Sequence, residues 1–173
     1  MRIIGIDPSI SATGIARVNG SLGTIKTTLK EGDGERLLNL YRELTKMLKG
    51  FDPESGNYCI RSAEFAVIED LPTHAMSAGL TGRAQGIVRM SLAQWQVPYI
   101  AIPPATLKKF ATGKGNAKKP DMRAAWLEFS GQDNADDNQV DAAWLRTIGL
   151  YLKTGETYDL PPEQLAAVDK YQE

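Results

Sequence analysis

Residues 3–14, Ile-Ile-Gly-Ile-Asp-Pro-Ser-Ile-Ser-Ala-Thr-Gly, decide how the rest of the chain is read. The apolar run Ile3, Ile4 and Ile6 ends at Asp7, and Pro8, which has no N–H to donate, closes it. That pattern predicts a buried strand carrying a carboxylate at its C-terminal end. Residues 13–18 and 22–28 are two further strand candidates, joined by Asn19-Gly20, a pair suited to a tight hairpin turn. Three early strands linked by short turns predict an antiparallel meander.

Working outward, residues 35–48 place Leu37, Leu38, Leu40, Tyr41, Leu44, Met47 and Leu48 at three- and four-residue steps, which predicts an amphipathic helix. Residues 50–57 read as a loop. A second apolar run, Phe65-Ala-Val-Ile68, ends at Glu69-Asp70. Residues 77–94 read as a helix with small residues on one side (Gly79, Gly82, Ala84, Gly86), and 97–102 as a short strand. A helix begins over 105–110, a loop follows at 112–116, and 121–129 and 140–152 read as helices. Strands first, then strands alternating with helices, predict an α/β fold with a mixed sheet and helices on its faces. After Gly155 the chain turns polar and meets a Pro161-Pro162 break. The expected organisation is therefore a domain over residues 1–153 and a peripheral polar tail over 154–173.

Composition narrows the function classes. The 173 residues suit one domain, with 42% hydrophobic and 24% charged residues, as in a globular chain. No run approaches the roughly 18 apolar residues of a membrane span, and the N-terminus lacks a secretory h-region, so no membrane role is expected. Cys59 is the only cysteine. That excludes intramolecular disulfides and cysteine-built zinc sites, and suits a cytoplasmic setting. Net charge is −1, but its distribution is uneven. Residues 105–119 hold Lys108, Lys109, Lys114, Lys118 and Lys119 and no acid, whereas 154–173 hold five acids and one lysine. A Walker A loop ending in Gly113-Lys114 would need glycine at 108, where Lys108 stands, so a nucleotide loop is excluded. The block reads either as a solvated basic face or as a contact with a phosphate backbone, with Gly113, Gly115 and Asn116 as a flexible connection.

The carboxylates carry the chemistry. Asp7 and Glu69 each end a buried strand, where a sheet presents groups to a ligand. A third acidic cluster, residues 133–141, enters the last helix. Any one of these acids alone reads as a turn residue or helix cap. Three converging carboxylates would repel one another unless a cation neutralised them, and all-oxygen donors select magnesium or manganese rather than zinc.

Taken in order, Ile4-Gly-Ile-Asp-Pro-Ser9 with Thr13-Gly14, Val67-Ile-Glu69, Gly82-Arg-Ala-Gln-Gly86 and Asp141-Ala-Ala resemble the RuvC family of Holliday junction resolvases, up to about Leu152. Actin-like ATPases open similarly but need two lobes, for which this length leaves no room. The resemblance implies a ribonuclease H-like fold and cleavage of DNA phosphodiesters by two metal ions, magnesium or manganese, held by Asp7, Glu69 and Asp141. It implies that Lys108 and Lys119, which keep the family's eleven-residue spacing around a Gly-x-Gly loop, contact DNA, with Lys109, Lys114 and Lys118 beside them. The substrate implied is four-way or branched DNA. Two opposed cuts favour a homodimer, for which the Gly79-x-x-Gly82 and Gly82-x-x-x-Gly86 spacings are candidates alongside plain packing onto the sheet. A junction-binding protein that has lost cleavage, and a nuclease for other branched DNA or RNA–DNA hybrids, are the alternatives.

Two departures from the pattern matter. Similar resolvases carry Asp or His three residues before the final Asp, where this chain has Asn138, preceded by Asp137 and Asp136. Offsets of three and four both fall on the helix face of Asp141. The expectation is that Asp137 supplies the missing charge and that Asn138 turns a carbonyl to the metal or caps the helix. The aromatic that wedges some junctions would fall at Pro72; either the wedge is absent or Leu71 takes its role. His74 is read as a solvent-facing residue outside the site, and Trp95, Trp126 and Trp144 as core anchors.

Overall fold

Successive side chains on a strand point to opposite faces, and in β1 (Ile3–Asp7) this period sorts the core into two layers. Ile3 packs into one apolar cluster while Ile4 and Ile6 pack into the other, all three at most 2% exposed. The computed structural model describes residues 1–49, 61–71, 78–134 and 136–172. The expected loop at 50–57, Cys59, Pro72 and His74 lie outside the described residues. β1 is followed by β2 (Ala12–Ala16) and β3 (Leu22–Lys26), then α1 (Asp33–Leu48), β4 (Phe65–Glu69), α2 (Ala78–Gln94) and β5 (Tyr99–Ile102). The chain continues through α3 (Pro104–Thr112), α4 (Lys119–Ser130), α5 (Asp137–Thr154), α6 (Pro162–Leu165) and a 3-10 turn at Asp169–Tyr171.

The sheet runs β3-β2-β1-β4-β5. β1, β2 and β3 form the antiparallel meander, with Gly20 at φ 85° in its second turn, and β4 and β5 add parallel to β1. One face is covered by α1 and α2, whose Leu40, Leu44, Leu48, Ala84, Val88 and Leu92 meet Ile4, Ile6, Ile15 and Ile68. The other is covered by α3, α4 and α5, with Leu107, Phe110, Trp126 and Trp144 against Ile3, Phe65 and Val67. Trp126 and Trp144 meet edge-to-face at 5.5 Å, and Trp95 lies half-buried against the first cluster, so all three tryptophans serve the core.

α5 lies closer to the sheet than side-chain packing allows. A methyl group at Gly5 would sit 2.1 Å from the Ala142 carbonyl oxygen, and one at Gly14 would sit 1.9 Å from that of Asn138. Further along, one at Gly149 would meet Ile3 and Val67 at 2.7 and 2.8 Å. Glycine in these strands is therefore a condition of backbone-on-backbone approach. Arg146, between these contacts, donates to the carbonyls of Ile3 (3.2 Å) and Val18 (2.9 Å) and fastens α5 to the far end of β1 and to the chain just past β2.

The segment after Gly155 differs from the peripheral tail expected. Val168 is fully buried, Leu160, Leu165 and Tyr171 pack on the same cluster, and the Tyr151 hydroxyl bonds Asp169 at 2.7 Å. Composition misled because few apolar residues are needed: Leu165, Val168 and Tyr171 recur every three residues and share one side. Pro161-Pro162 opens α6 rather than breaking the chain, as proline does at a first helical turn. No helix among the described residues is long and apolar enough to cross a membrane.

Gly5→Ala and Gly14→Ala are expected to destabilise the protein by about 2–4 kcal/mol, since the groups they meet are backbone and cannot yield. Gly34→Ala, within α1 and facing open space, is expected to stabilise by about 0.5–1 kcal/mol. Urea denaturation of the three variants checks the ranking.

Candidate active site

Strand period places two acids together. Asp7 shares the face of Ile3 and Gly5, and Glu69 that of Phe65 and Val67. β1 and β4 run parallel with Ile6 opposite Ile68, so the next pair in register is Asp7 and Glu69, at the C-terminal ends of both strands. α5 rests on Gly5 through Ala142, and Asp141, one residue earlier, is near enough for its charge to act on both acids. All three therefore meet on the α5 face of the sheet.

Their electrostatics follow from burial. Asp7 is 7% exposed and lies within hydrogen-bonding reach of Glu69. Burial first, then the charges of Glu69 and Asp141, push its carboxyl well above the usual carboxylate range. Burial and the Asp141 charge raise Glu69 to about 7, and burial and the Asp137 charge raise Asp141 to about 6. Lysines act in the opposite sense: Lys108 lowers Glu69 and Asp141, and Lys119 lowers Asp7 and Asp141. Of the basic block, these are the two lysines whose charges reach the carboxylates. Lys109, Lys114 and Lys118 lie exposed along the same segment.

The connection between those lysines is folded back rather than loose, contrary to expectation. Gly113 closes α3 at φ 76°, Thr112 Oγ1 bonds around the turn, Ala117 is buried, and a methyl group added at Gly115 would lie 3.2 Å from the Ala105 carbonyl oxygen. The loop thus fixes the separation of Lys108 and Lys119.

At the start of α5 the three candidates divide. Asp136 is the helix cap, accepting from the Asn138 and Gln139 amides and from Thr24 Oγ1 at 2.6 Å. Of the two roles expected of Asn138, this corrects the capping one, which Asp136 fills. Asn138 Nδ2 donates to Asp136 Oδ1 at 3.2 Å, and its backbone carbonyl lies against Gly14. Asp137 pairs with Lys119 at 3.0 Å and still bears on Asp141. Asp133, at the head of the acidic cluster, is held outside the site by Arg123 at 2.7 Å.

As they stand, no three His, Cys, Asp or Glu side chains among the described residues enclose a metal position; Asp7 and Glu69 close on each other instead. The donor set nonetheless fits a hard divalent cation. It is made only of carboxylate oxygens, and buried acids that resist ionising together are the groups a cation relieves.

Gln85, quoted within the Gly82-Arg-Ala-Gln-Gly86 motif, was given no role by the sequence reading. It is 3% exposed on the inner face of α2, and its Nε2 donates 2.9 Å to the Glu69 carbonyl and 3.4 Å to Asp70 Oδ1. Arg89, one turn on, holds the same Asp70 oxygen at 3.1 Å. Two adjacent acids are thereby sorted, Glu69 to the α5 face and Asp70 to the α2 side. The available signal was a polar residue on the apolar stripe of Val88 and Leu92. On the same helix, among the described residues, methyl groups at Gly79 and Gly86 would face open space and one at Gly82 would meet only Leu71, at 3.8 Å, so no contact with the sheet is seen for these glycines. Leu71 is half-buried.

No family model matches the chain. A crossover junction endodeoxyribonuclease RuvC of Prochlorococcus marinus (strain NATL2A) is 28% identical over 165 residues, covering 88% of this chain and all of the relative. That of Parasynechococcus marenigrum (strain WH8102) is 28% identical over 134 residues, 72% of this chain and 80% of the relative. Among solved structures, Thermus thermophilus RuvC in complex with a Holliday junction substrate superposes with a TM-score of 0.69 at 23% identity, over 88% of this chain and 95% of that one. Thermus thermophilus RuvC without stated substrate gives 0.65 at 21% identity. The ribonuclease H-like fold expected of the chain is thus the one it has.

The raised carboxyls make stability depend on pH. The folded protein keeps protons on Glu69 and Asp141 that the unfolded chain, with ordinary carboxyls, has released above about pH 4–5. Their contribution is therefore full below that range and is lost as pH rises through 6 and 7. In metal-free buffer the Tm is expected to fall by several degrees between pH 5 and pH 8, and the Asp7→Asn/Glu69→Gln double variant to flatten that fall. A wild-type Tm that rises across this interval contradicts the assignment.

Proposed function

We propose that this chain, a relative of the RuvC endonucleases in sequence and like them in fold, is a metal-dependent, structure-selective DNA endonuclease that cleaves Holliday junctions and related branched DNA. The observation that carries the reading is the meeting of Asp7, Glu69 and Asp141 on one face, with Lys108 and Lys119 bearing on them. Residues 1–153 form the nuclease domain in this reading, 154–173 are an appendage packed onto it, and the protein works in the cytoplasm.

Asp7, Glu69 and Asp141 would hold magnesium, with manganese able to substitute. Asp137 is the acid placed to join them, since its charge already acts on Asp141. Asn138 is the neutral neighbour. Two bound ions would supply an activated water and a stabilised leaving oxygen. The protein's own part is positional. Asp7, inside the wall of the site, fixes one side of the donor set; Glu69 is oriented through its carbonyl by Gln85; and Asp141 descends from α5. Lys119, once it leaves Asp137, and Lys108 neutralise phosphates on the flank of α3 and α4, where Lys109, Lys114 and Lys118 extend the basic surface.

Cleaving opposed strands needs two such sites, and a homodimer provides them. The open face of α2 supports this arrangement: among the described residues a methyl group at Gly79 or Gly86 would meet nothing within 4 Å, and Met90 on the same side is 50% exposed.

The deciding experiment is incubation with a synthetic four-way junction, a linear duplex and an RNA–DNA hybrid, each with magnesium or manganese. Paired, symmetric nicks confined to the junction are expected; binding without product in either metal favours a junction-binding protein that does not cut. Asp7→Asn is expected to abolish cleavage while binding survives. Lys108→Ala and Lys119→Ala are expected to weaken binding to all duplex arms alike and to reduce the slope of log affinity against log salt by about one each. Unchanged affinity at every ionic strength would make the block a solvated face.

A further inference from the structure

Arg36 is buried to 3% exposure, and among the described residues it has no acidic partner. Its Nε donates to Thr27 Oγ1 at 3.0 Å and its Nη2 to Ser11 Oγ at 2.9 Å. A buried guanidinium is ordinarily matched by a carboxylate, because neutral hydroxyls satisfy its geometry without cancelling its charge. The position of this unmatched charge is specific. It lies beneath residues 8–11, the loop that leaves Asp7, and that loop is tied down on all sides. The Thr27 amide donates to the Ser11 carbonyl at 3.1 Å, the Thr27 hydroxyl donates to the Ile10 carbonyl, and the Ser9 amide donates to Thr13 Oγ1 at 3.1 Å.

The two hydroxyls that receive Arg36 differ in what they have left. That of Thr27 spends its proton on Ile10. Ser11 is exposed, its oxygen accepts from Arg36, and its proton has no acceptor among the described residues. A solvent-facing O–H whose oxygen is hydrogen-bonded to a cation is a strengthened donor, suited to an anion. Sheet order says which anion. With strands arranged β3-β2-β1-β4-β5, Ser11 and Arg36 lie on the β2–β3 side of the carboxylates, and Lys108, leaving β5 on α3, lies on the opposite side.

We propose that Ser11, backed by Arg36, binds a backbone phosphate of the DNA strand that crosses the carboxylates, on the flank opposite Lys108. The site would hold the strand from both sides of the position to be cut. This rests on the nuclease reading above.

The test is junction affinity, measured by fluorescence anisotropy in EDTA so that no cleavage intervenes, at a temperature where each variant is shown to be folded. Ser11→Ala is expected to weaken binding about three- to tenfold, Ser11→Glu to weaken it further, and Ser11→Thr, which keeps the hydroxyl, to bind like the wild type. Because Ser11→Ala removes no charge, its salt slope stays that of the wild type, whereas the Lys108→Ala slope falls. Junctions carrying a single methylphosphonate at successive positions around the cleavage point supply the specific readout. At one position the neutral linkage is expected to weaken the wild type and leave Ser11→Ala unaffected. If every position affects both proteins equally, or if Ser11→Ala and Ser11→Glu bind as the wild type does, the proposal fails and the contact only staples the loop. A wild type that binds no junction overturns the nuclease reading together with it.

Discussion

The contact of α5 backbone on β1 and β2 backbone is the constraint from which the site follows. A helix packed on a sheet through ordinary side chains keeps its backbone well clear of the strands. Here the Ala142 and Asn138 carbonyls occupy the space where side chains of Gly5 and Gly14 would be. That approach brings Asp141 down to two acids whose own places are set by strand period and register. The glycines of the opening segment therefore do more than shape a turn: they set the height of the third carboxylate over the other two. Arg146 and Gly149 continue the same close seating along the helix.

That placement has an electrostatic cost, and the molecule offsets it only in part. Burial raises all three acids, Glu69 and Asp141 push Asp7 further up, Asp141 does so to Glu69 and Asp137 to Asp141, and Lys108 and Lys119 pull in the other direction from a loop that is folded tightly enough to hold their spacing. Asp137 and Lys119 neutralise each other meanwhile. Under the nuclease reading proposed above, this balance suits positive charge next to the acids and negative charge next to the lysines, which is what a cation and a phosphodiester would bring together. The neighbouring acids are removed from this balance by specific partners: Asp70 by Arg89 and Gln85, Asp133 by Arg123, and Asp136 by the helix it caps.

Much of this was legible in the sequence, and for identifiable reasons. Asp7 and Glu69 terminate apolar runs, so local pattern alone puts them at strand ends, and the hairpin signal at Asn19-Gly20 orients the meander. Asp141 needed the resemblance, because nothing in its neighbourhood distinguishes it from Asp136 or Asp137. Which of those two caps the helix depends on Thr24, more than a hundred residues away in sequence, and no local rule reaches it. The chain after Gly155 was misjudged because three apolar residues at matching spacing suffice to dock it, whatever its average polarity. Gln85 and Arg36 were missed for a shared reason: each is a polar residue on a buried helical stripe, and pattern reading treats such residues as interruptions when they are hydrogen-bonding anchors.

The central claim is that the three carboxylates are buried acids completed by a divalent cation, and proton release measures it most directly. Calorimetric titration of the metal-free protein with manganese near pH 6.5, in two buffers of different ionisation enthalpy, counts the protons expelled as the ion binds. The account predicts release of at least one proton near pH 6.5, drawn from Glu69, Asp141 and the more strongly raised Asp7, less release as pH rises through the value of about 7 at Glu69, and a clear reduction in Asp7→Asn/Glu69→Gln. Binding that releases no proton near pH 6.5, or release that persists unchanged in the double variant, contradicts it.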